Sequence, residues 1–509
     1  MTSAAKIAST PFRLIATVLA AALLAGATRA EERAPHSGLE GREYVARMTG
    51  VFNGVRVDYE ARLEETLITN DDDAPAARFY STAYLAQSGP DRRVRPVIFI
   101  WNGGPSVAAV PLHMTGFGPK RLAPRRLGAD APVRLIDNER TLLDVADLVF
   151  VDPAETGFSR ILPGGSRDYF YSAQGDAESV AQFIRKWLDA HDRSHSPVFV
   201  MGSSYGSIRA AIVAGAMAEA GAPLDGVILL SQGVNLVETT QRRHNLVGYA
   251  SNLSQLAAVG WFHGLTARPD TTVHDVVDEA YAFAMSDYLV AIAKGRAIPK
   301  AEREAIARRL EALTGLAAGE YLTRDLLVNK TDFRRNLLKE KGLVLAANDA
   351  RDAYREDAPP SGEGSERIEM KALKTHLTSL FGATFPLDAY RFQAPETASW
   401  DYGGSSTLDG KPVAPGAVRS VFSDFDWTGE LEKAFAANPS FRVFIATGVY
   451  DLLTTTGPAR MLASNVHFPG DRVESAEYEG GHDFYADEAV FPRLAEDLRS
   501  FVNAESAAR

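Results

Sequence analysis

Five short apolar runs limit what this chain can fold into. Pro96–Trp101, Leu148–Asp152, Pro197–Met201, Leu224–Ser231 and Phe441–Thr447 lack the alternation of apolar and polar residues. The first ends in Asn102-Gly103-Gly104-Pro105, the second in Pro153 and the third in Gly202. A strand with one wet face alternates, whereas an unbroken apolar run suits a strand covered on both faces, as in a parallel sheet. Segments of helical period lie between the runs. In 174–190, Val180, Ile184, Trp187 and Leu188 form one stripe. Residues 207–220 are small and apolar all round, as expected of a helix lying against a central strand. Strand, helix, strand, helix in this order predicts a doubly wound, mostly parallel α/β sheet.

The flanking segments divide the chain. Lys6 and Arg13 precede Leu14–Ala25, an apolar run broken only by Thr17, and Ala25-Gly26-Ala27 and Thr28-Arg29-Ala30 follow as small-x-small patterns. A signal peptide is therefore expected over 1–30, cleaved after Ala27 or Ala30. The run is too short for a bilayer, which needs about 20 apolar residues. That predicts an exported protein, periplasmic or secreted, with no stable membrane anchor after cleavage. Residues 31–50 read as a loosely held polar arm. Gly54–Ile68 and Ala77–Gln87 alternate and predict an antiparallel hairpin around Asn70–Asp73. We expect 31–234 to form the first part of a core and 421–509 the second. Between them, 235–420 breaks the rhythm and predicts a mostly helical cap insertion. Helices are expected over 272–295, 300–314 and 319–328, and 359–364 (PPSGEG) reads as an exposed, flexible loop.

Composition removes several classes. None of the 509 residues is cysteine, which excludes disulfides, thiolate metal sites and a cysteine nucleophile. The net charge of -11, with no long basic run, argues against nucleic acid as a partner. No histidine–carboxylate cluster has metal-ligand spacing such as H-E-x-x-H, so no metal is expected.

The sharpest local signal is Gly202-Ser203-Ser204-Tyr205-Gly206, a G-x-S-x-G sequence between an apolar run and a helical segment. That context is the nucleophile elbow of the α/β-hydrolase fold, whose strained strand-to-helix turn exposes the serine hydroxyl and needs small neighbours. A serine hydroxyl attacks poorly until a base takes its proton. On this fold the chain order is serine, acid, histidine. His482 follows Glu479-Gly480-Gly481 on a predicted loop after the strand 472–478 and is the candidate base. Asp451, just beyond the run Phe441–Thr447, is the candidate acid, since catalytic groups gather at strand C-terminal ends in such sheets. Asp483 is the rival acid, badly placed to orient a ring next to it in sequence. Two backbone N–H donors are needed for the oxyanion. Tyr205 should supply one, and the Asn102-Gly103-Gly104 turn, where glycine permits close backbone approach, the other.

Together these segments resemble the serine carboxypeptidase family, its bacterial members in particular. The resemblance rests on WNGGP at 101–105 with LHMTGFGPKRL at 112–122, VDPAETGFSR at 151–160, GSSYG at 202–206, ATGVYDLLTTT at 446–456 and YEGGHDFY at 478–485. They occur in the family's order and cover the core from about residue 50 onward. The resemblance implies an α/β-hydrolase fold with a helical cap and hydrolysis of a C-terminal peptide bond through an acyl-enzyme. It assigns Ser204, Asp451 and His482 to the triad and Gly104 and Tyr205 to the oxyanion hole. It suggests that Asn102, with Gly103, binds the substrate's terminal carboxylate. It implies no cofactor and no metal.

Some positions depart from the family's pattern. Ser203 stands where the family usually has glutamate, and Gly116 where many members have a second one. Ser106-Val107-Ala108-Ala109 replaces the usual glycine and small polar residues, and Glu155 replaces a glycine. Glu155 is a candidate to stand in for the missing acid. The substrate expected is a peptide or a small ester. The alternatives to a carboxypeptidase are an esterase or acyltransferase with the same triad, and a hydrolase-fold binding protein whose catalysis has decayed.

Overall fold

The computed structural model describes residues 39, 41–87, 92–123, 133–242, 244–266, 268, 270–358, 363–395, 400–402 and 426–506. The expected signal peptide, most of the expected 31–50 arm before its strand, residues 359–362 of the expected loop, 403–420 of the expected cap and 421–425 of the expected second core part lie outside them.

Among the described residues, nine strands form the path of the central sheet: β1 (Tyr44–Phe52), β2 (Val55–Thr69), β3 (Pro75–Ala86), β4 (Val97–Trp101), β5 (Asp147–Asp152), β6 (Val198–Ser203), β7 (Gly226–Leu230), β8 (Arg442–Gly448) and β9 (Val473–Tyr478). Their spatial order is β1-β2-β3-β5-β4-β6-β7-β8-β9, and the short strand Arg160–Ile161 pairs with β3. The pairs from β1 to β5 along this path are antiparallel. From β5 onward every pair is parallel. This is the mostly parallel α/β sheet expected from the apolar runs, all five of which are buried strands, and the α/β-hydrolase fold expected from the elbow sequence and the family resemblance.

The unbroken runs have a direct packing cause. Phe99, Trp101, Val200, Val227 and Ile445 point into one core, with Val180, Ile184 and Trp187 of α1 (Ala173–Ala190) and Ile208 and Ile212 of α2 (Tyr205–Glu219). The alternate residues Ile98, Ile100, Met201, Ile228 and Phe444 point into the other, with Leu494, Leu498 and Phe501 near the C-terminus. A polar residue in the middle of such a run would be left in a dry layer, so buried polar residues such as Asp147, Asp152, Ser203 and Thr447 are kept to the strand ends.

Three local expectations are corrected. Residues 44–52 are not an arm but β1, paired residue for residue with β2 from Tyr44↔Leu63 to Phe52↔Val55. Asn53 and Gly54, at φ 47° and 78°, make the two-residue turn, and Asn-Gly tolerates positive φ at both positions. The helix expected over 319–328 ends at Thr323, because Asp325 and Leu326 take positive φ. Residues 363 and 364 of the expected loop open a helix, α3 (Glu363–Phe381). Between β7 and β8 the described chain is mostly helical, with one small hairpin, Leu343–Leu345 against Ala353–Arg355.

Candidate active site

Four parallel strands deliver the candidate residues from their C-terminal ends. β4 leads into Asn102-Gly103-Gly104, β6 into Ser204, β8 into the loop with Asp451 and β9 into the loop with His482. Ser204 has φ 57° and ψ -127°, outside the favoured regions for a residue with a Cβ. Such a conformation costs on the order of 1–3 kcal/mol and persists only where the surroundings impose it. Here Ser204 N–H donates to Leu230 O at 2.9 Å, and Ser207 N–H and Oγ donate to Ser204 O at 2.9 and 2.6 Å. A Cβ on Gly202 would lie 1.9 Å from Gly206 O, so the turn admits no side chain there.

Asp451 and His482 meet across the β8 and β9 loops. His482 Nδ1 lies 2.7 Å from Asp451 Oδ2, with Asp451 0 % exposed and His482 6 %. Asp451 Oδ1 accepts from Leu453 N–H at 2.6 Å and Thr454 N–H at 3.2 Å, and Oδ2 accepts from Thr454 Oγ1 at 2.6 Å. A carboxylate held by these donors can only accept from the ring, which makes Nδ1 the protonated nitrogen and leaves Nε2 as the basic one. Burial disfavours charge on the ring. The field and hydrogen bond of Asp451 override it, Asp483 adds to the pull and Lys330 opposes it, so His482 is pushed up to about 9. The main chain of His482 is also fixed: its N–H donates to Asn348 O at 2.5 Å and its carbonyl accepts from Ser231 Oγ at 2.7 Å.

The turn after β4 presses on the elbow. A Cβ on Gly103 would sit 2.6 Å from Ser203 O and 2.7 Å from Tyr205 N, and Gly104 has φ +110°. Gly103 O accepts from Val107 N–H at 3.1 Å. Neither Gly104 N–H nor Tyr205 N–H has an acceptor among the described residues. Two uncommitted donors therefore sit on the two elements that meet at Ser204. We expect Gly103→Ala to force the turn off the elbow and to lower kcat about 100-fold, since displacements near 1 Å carry costs of that order. Steady-state kinetics on the folded variant check this, and an unchanged kcat would remove the turn from the account.

Ser204, His482, Asn102 and Gly104 line one cavity of about 460 Å³, together with Val107, Ser203, Asn348, Glu369, Phe392, Leu453 and Asp483, among others. Asn102 Oδ1 is buried there without a hydrogen-bond partner among the described residues. Gly103 lies beneath, against the elbow backbone. Asp483 does not reach the ring nitrogen that Asp451 holds; its Oδ1 accepts from Tyr485 OH at 2.8 Å. The ring of Tyr485 covers Gly116, where a Cβ would meet its Cδ2 at 3.3 Å.

Glu155 is not a substitute acid. It is absent from the cavity lining, and its carboxylate pairs with Arg391 and accepts from Ile161 N–H at 2.8 Å. Sequence reasoning also missed Glu369, which enters from α3, a helix it did not anticipate. Asn348 arrives from another connection between β7 and β8. Thr454 carried a usable signal: an aspartate whose carboxylate accepts from the N–H groups two and three residues on is a common local turn, and Asp451-Leu452-Leu453-Thr454 fits it.

A fold of this topology with a serine on the elbow defines an α/β-hydrolase-fold serine hydrolase. Residues 61–222 match the model of the serine carboxypeptidase family, the family that the motifs resemble. That stretch holds the Asn102–Gly104 turn and Ser204, while Asp451 and His482 lie beyond it. A search of curated proteins finds no match. Among solved structures, the chain is similar in fold to a prohormone-processing carboxypeptidase from Saccharomyces cerevisiae, with a TM-score of 0.51, 12% identity, and coverage of 88% of this chain and 92% of that one. A proline iminopeptidase from Mycobacterium smegmatis aligns at a TM-score of 0.37 and 13% identity, covering 87% and 99% of the two chains. A thermostable carboxyl esterase from Bacillus coagulans aligns at 0.33 and 14%, covering 87% and 98%.

Proposed function

We propose that the protein is an exported serine-type carboxypeptidase that cleaves C-terminal residues from peptides through an acyl-enzyme on Ser204. The observation that carries the chemistry is the 2.7 Å contact between His482 Nδ1 and Asp451, with His482 and Ser204 on one cavity wall. His482 Nε2 takes the Ser204 hydroxyl proton as Oγ attacks the scissile carbonyl. The tetrahedral oxyanion is received by the N–H groups of Gly104 and Tyr205. His482 then gives its proton to the leaving amine, which departs, and the ester remains on Ser204. Water, deprotonated by His482, attacks that ester, and the acid product leaves with Ser204 regenerated. Asp451 keeps Nδ1–H in place throughout and stabilises the imidazolium. Asn102, with its unpartnered Oδ1, is the proposed substrate-binding side chain beside Gly103.

One observation favours a second reading, ester hydrolysis or acyl transfer by the same residues. Among the described residues, two carboxylates, Glu369 and Asp483, line the cavity, and no lysine or arginine does. A free C-terminal carboxylate meets like charge there, whereas an amide or ester does not. Matched peptides with free and amidated C-termini, alongside a short ester series, separate the readings. Turnover confined to free-acid peptides supports the carboxypeptidase, and turnover confined to esters overturns it. For a free-acid peptide we expect Glu369→Gln to lower KM about three- to tenfold, the scale of one removed like charge at partial screening. The amidated peptide should keep its KM, and an unchanged KM for both places Glu369 away from the substrate terminus.

A further inference from the structure

Arg209 lies on α2, one turn beyond Ser204, and is 0 % exposed. Its Nε donates to Asp176 Oδ2 at 2.7 Å. Its other donors go to the main chain: Nη1 to Asn102 O at 2.8 Å and Nη2 to Pro105 O at 2.7 Å. Asp176, on α1, also accepts from Tyr205 OH at 3.2 Å. Burying a guanidinium is costly, and a carboxylate partner is the usual compensation. Asp176 supplies that, yet two further donors are spent on the carbonyls that bracket the turn beside Ser204. A guanidinium is a planar fork, so it fixes the separation of two acceptors in a way that a lysine cannot.

The geometry has a directional consequence. In a trans peptide the N–H points opposite to the C=O. Holding Asn102 C=O toward Arg209 therefore turns Gly103 N–H the other way, and the bond to Pro105 O anchors the far side. Gly104, at φ +110° with its N–H uncommitted, lies between the two anchored carbonyls. The second uncommitted donor, Tyr205 N–H, is on the helix that carries the clamp.

We propose that Arg209 is a positioning residue: from the helix that begins at Tyr205, it clamps both ends of the Asn102–Pro105 turn and so sets the spacing of the two oxyanion donors. The inference rests on the serine-hydrolase reading of Ser204. Arg209 touches no substrate and acts through the turn.

The test pairs Arg209→Met with Arg193→Met. Arg193 is a matched buried arginine, 1 % exposed, donating to Asp147 Oδ2 at 2.6 Å and Arg95 O at 2.7 Å. Asp147 opens β5 and Arg95 precedes β4, so this clamp sits at the opposite end of the strands from Ser204. Both variants should melt at lower temperature. Only Arg209→Met should lower kcat, about 100-fold with KM within about threefold, as expected for misplaced oxyanion donors. It should also slow fluorophosphonate labelling of Ser204 and weaken a peptide boronic acid more than the product peptide. Arg209→Lys, which keeps the charge without the fork, should fold and lose about tenfold in kcat. Wild-type kcat in Arg209→Lys, or losses in Arg209→Met and Arg193→Met that simply track their melting temperatures, would overturn the clamp. A wild-type protein that fails to label at all brings down the serine-hydrolase reading itself, and labelling at equal rates in wild type and Arg209→Met brings down only the clamp.

Discussion

Ser204→Ala is expected to abolish turnover, lowering kcat by roughly 10⁴- to 10⁶-fold, while the protein stays folded. The proposed mechanism has no other nucleophile, and the elbow aims this one side chain into the cavity with His482. Alanine keeps a Cβ at the same positive φ, so the turn suffers the same strain as before and gains no new clash. Unfolding by heat should therefore stay within a few degrees of wild type, which separates lost chemistry from lost structure. Among the described residues, the adjacent Ser203 is the one rival hydroxyl on that wall. Substantial activity in Ser204→Ala, lost in Ser203→Ala, would reassign the nucleophile.

Asp451→Asn is the second large effect. An asparagine can still accept from Leu453 and Thr454 N–H through its oxygen, but it presents an NH₂ to His482 Nδ1. The ring then places its proton on Nε2, the wrong nitrogen to take one from serine, and kcat should fall about 10⁴-fold. The pH dependence should change as well, and its sign is fixed. The Asp451 carboxylate stabilises the imidazolium, so its removal lowers the pKa of His482 from its raised position near 9. Since the neutral ring is the active form, the acid limb of kcat/KM moves to lower pH in the variant. Measured pH–rate profiles check this. A limb that stays put, or a kcat near wild type, would remove Asp451 from the site.

The fold was legible in the sequence because burial on both faces leaves a pattern that one residue can break. Ile98 and Phe99 point into different cores, so neither could be polar, and the run PVIFIW follows. The elbow was legible for a steric reason: Gly202 and Gly206 approach so closely that a side chain on Gly202 would strike the backbone. β1 was misread because it is an edge strand with an exposed face, and polar residues there resemble those of a loose arm. Its best marker was Asn53-Gly54, a two-residue hairpin turn.

The rest of the site left little trace. Glu369 belongs to a helix about 165 positions beyond Ser204 and reaches the cavity only through tertiary packing. Arg209 reads as a charge in a mostly apolar helix; its role depends on Asp176 and on two carbonyls that the sequence does not place beside it. Glu155 misled because motif alignment locates a position, not the partner that occupies it, and Arg391 occupies this one.

The most direct test of the central claim is labelling of the purified protein with a fluorophosphonate, with the modified peptide located by mass spectrometry. The account predicts one label per chain on Ser204, and none in His482→Ala, whose serine lacks a base. A folded protein that takes no label, or takes it at another residue, would contradict the triad and favour a hydrolase fold that binds without turning over.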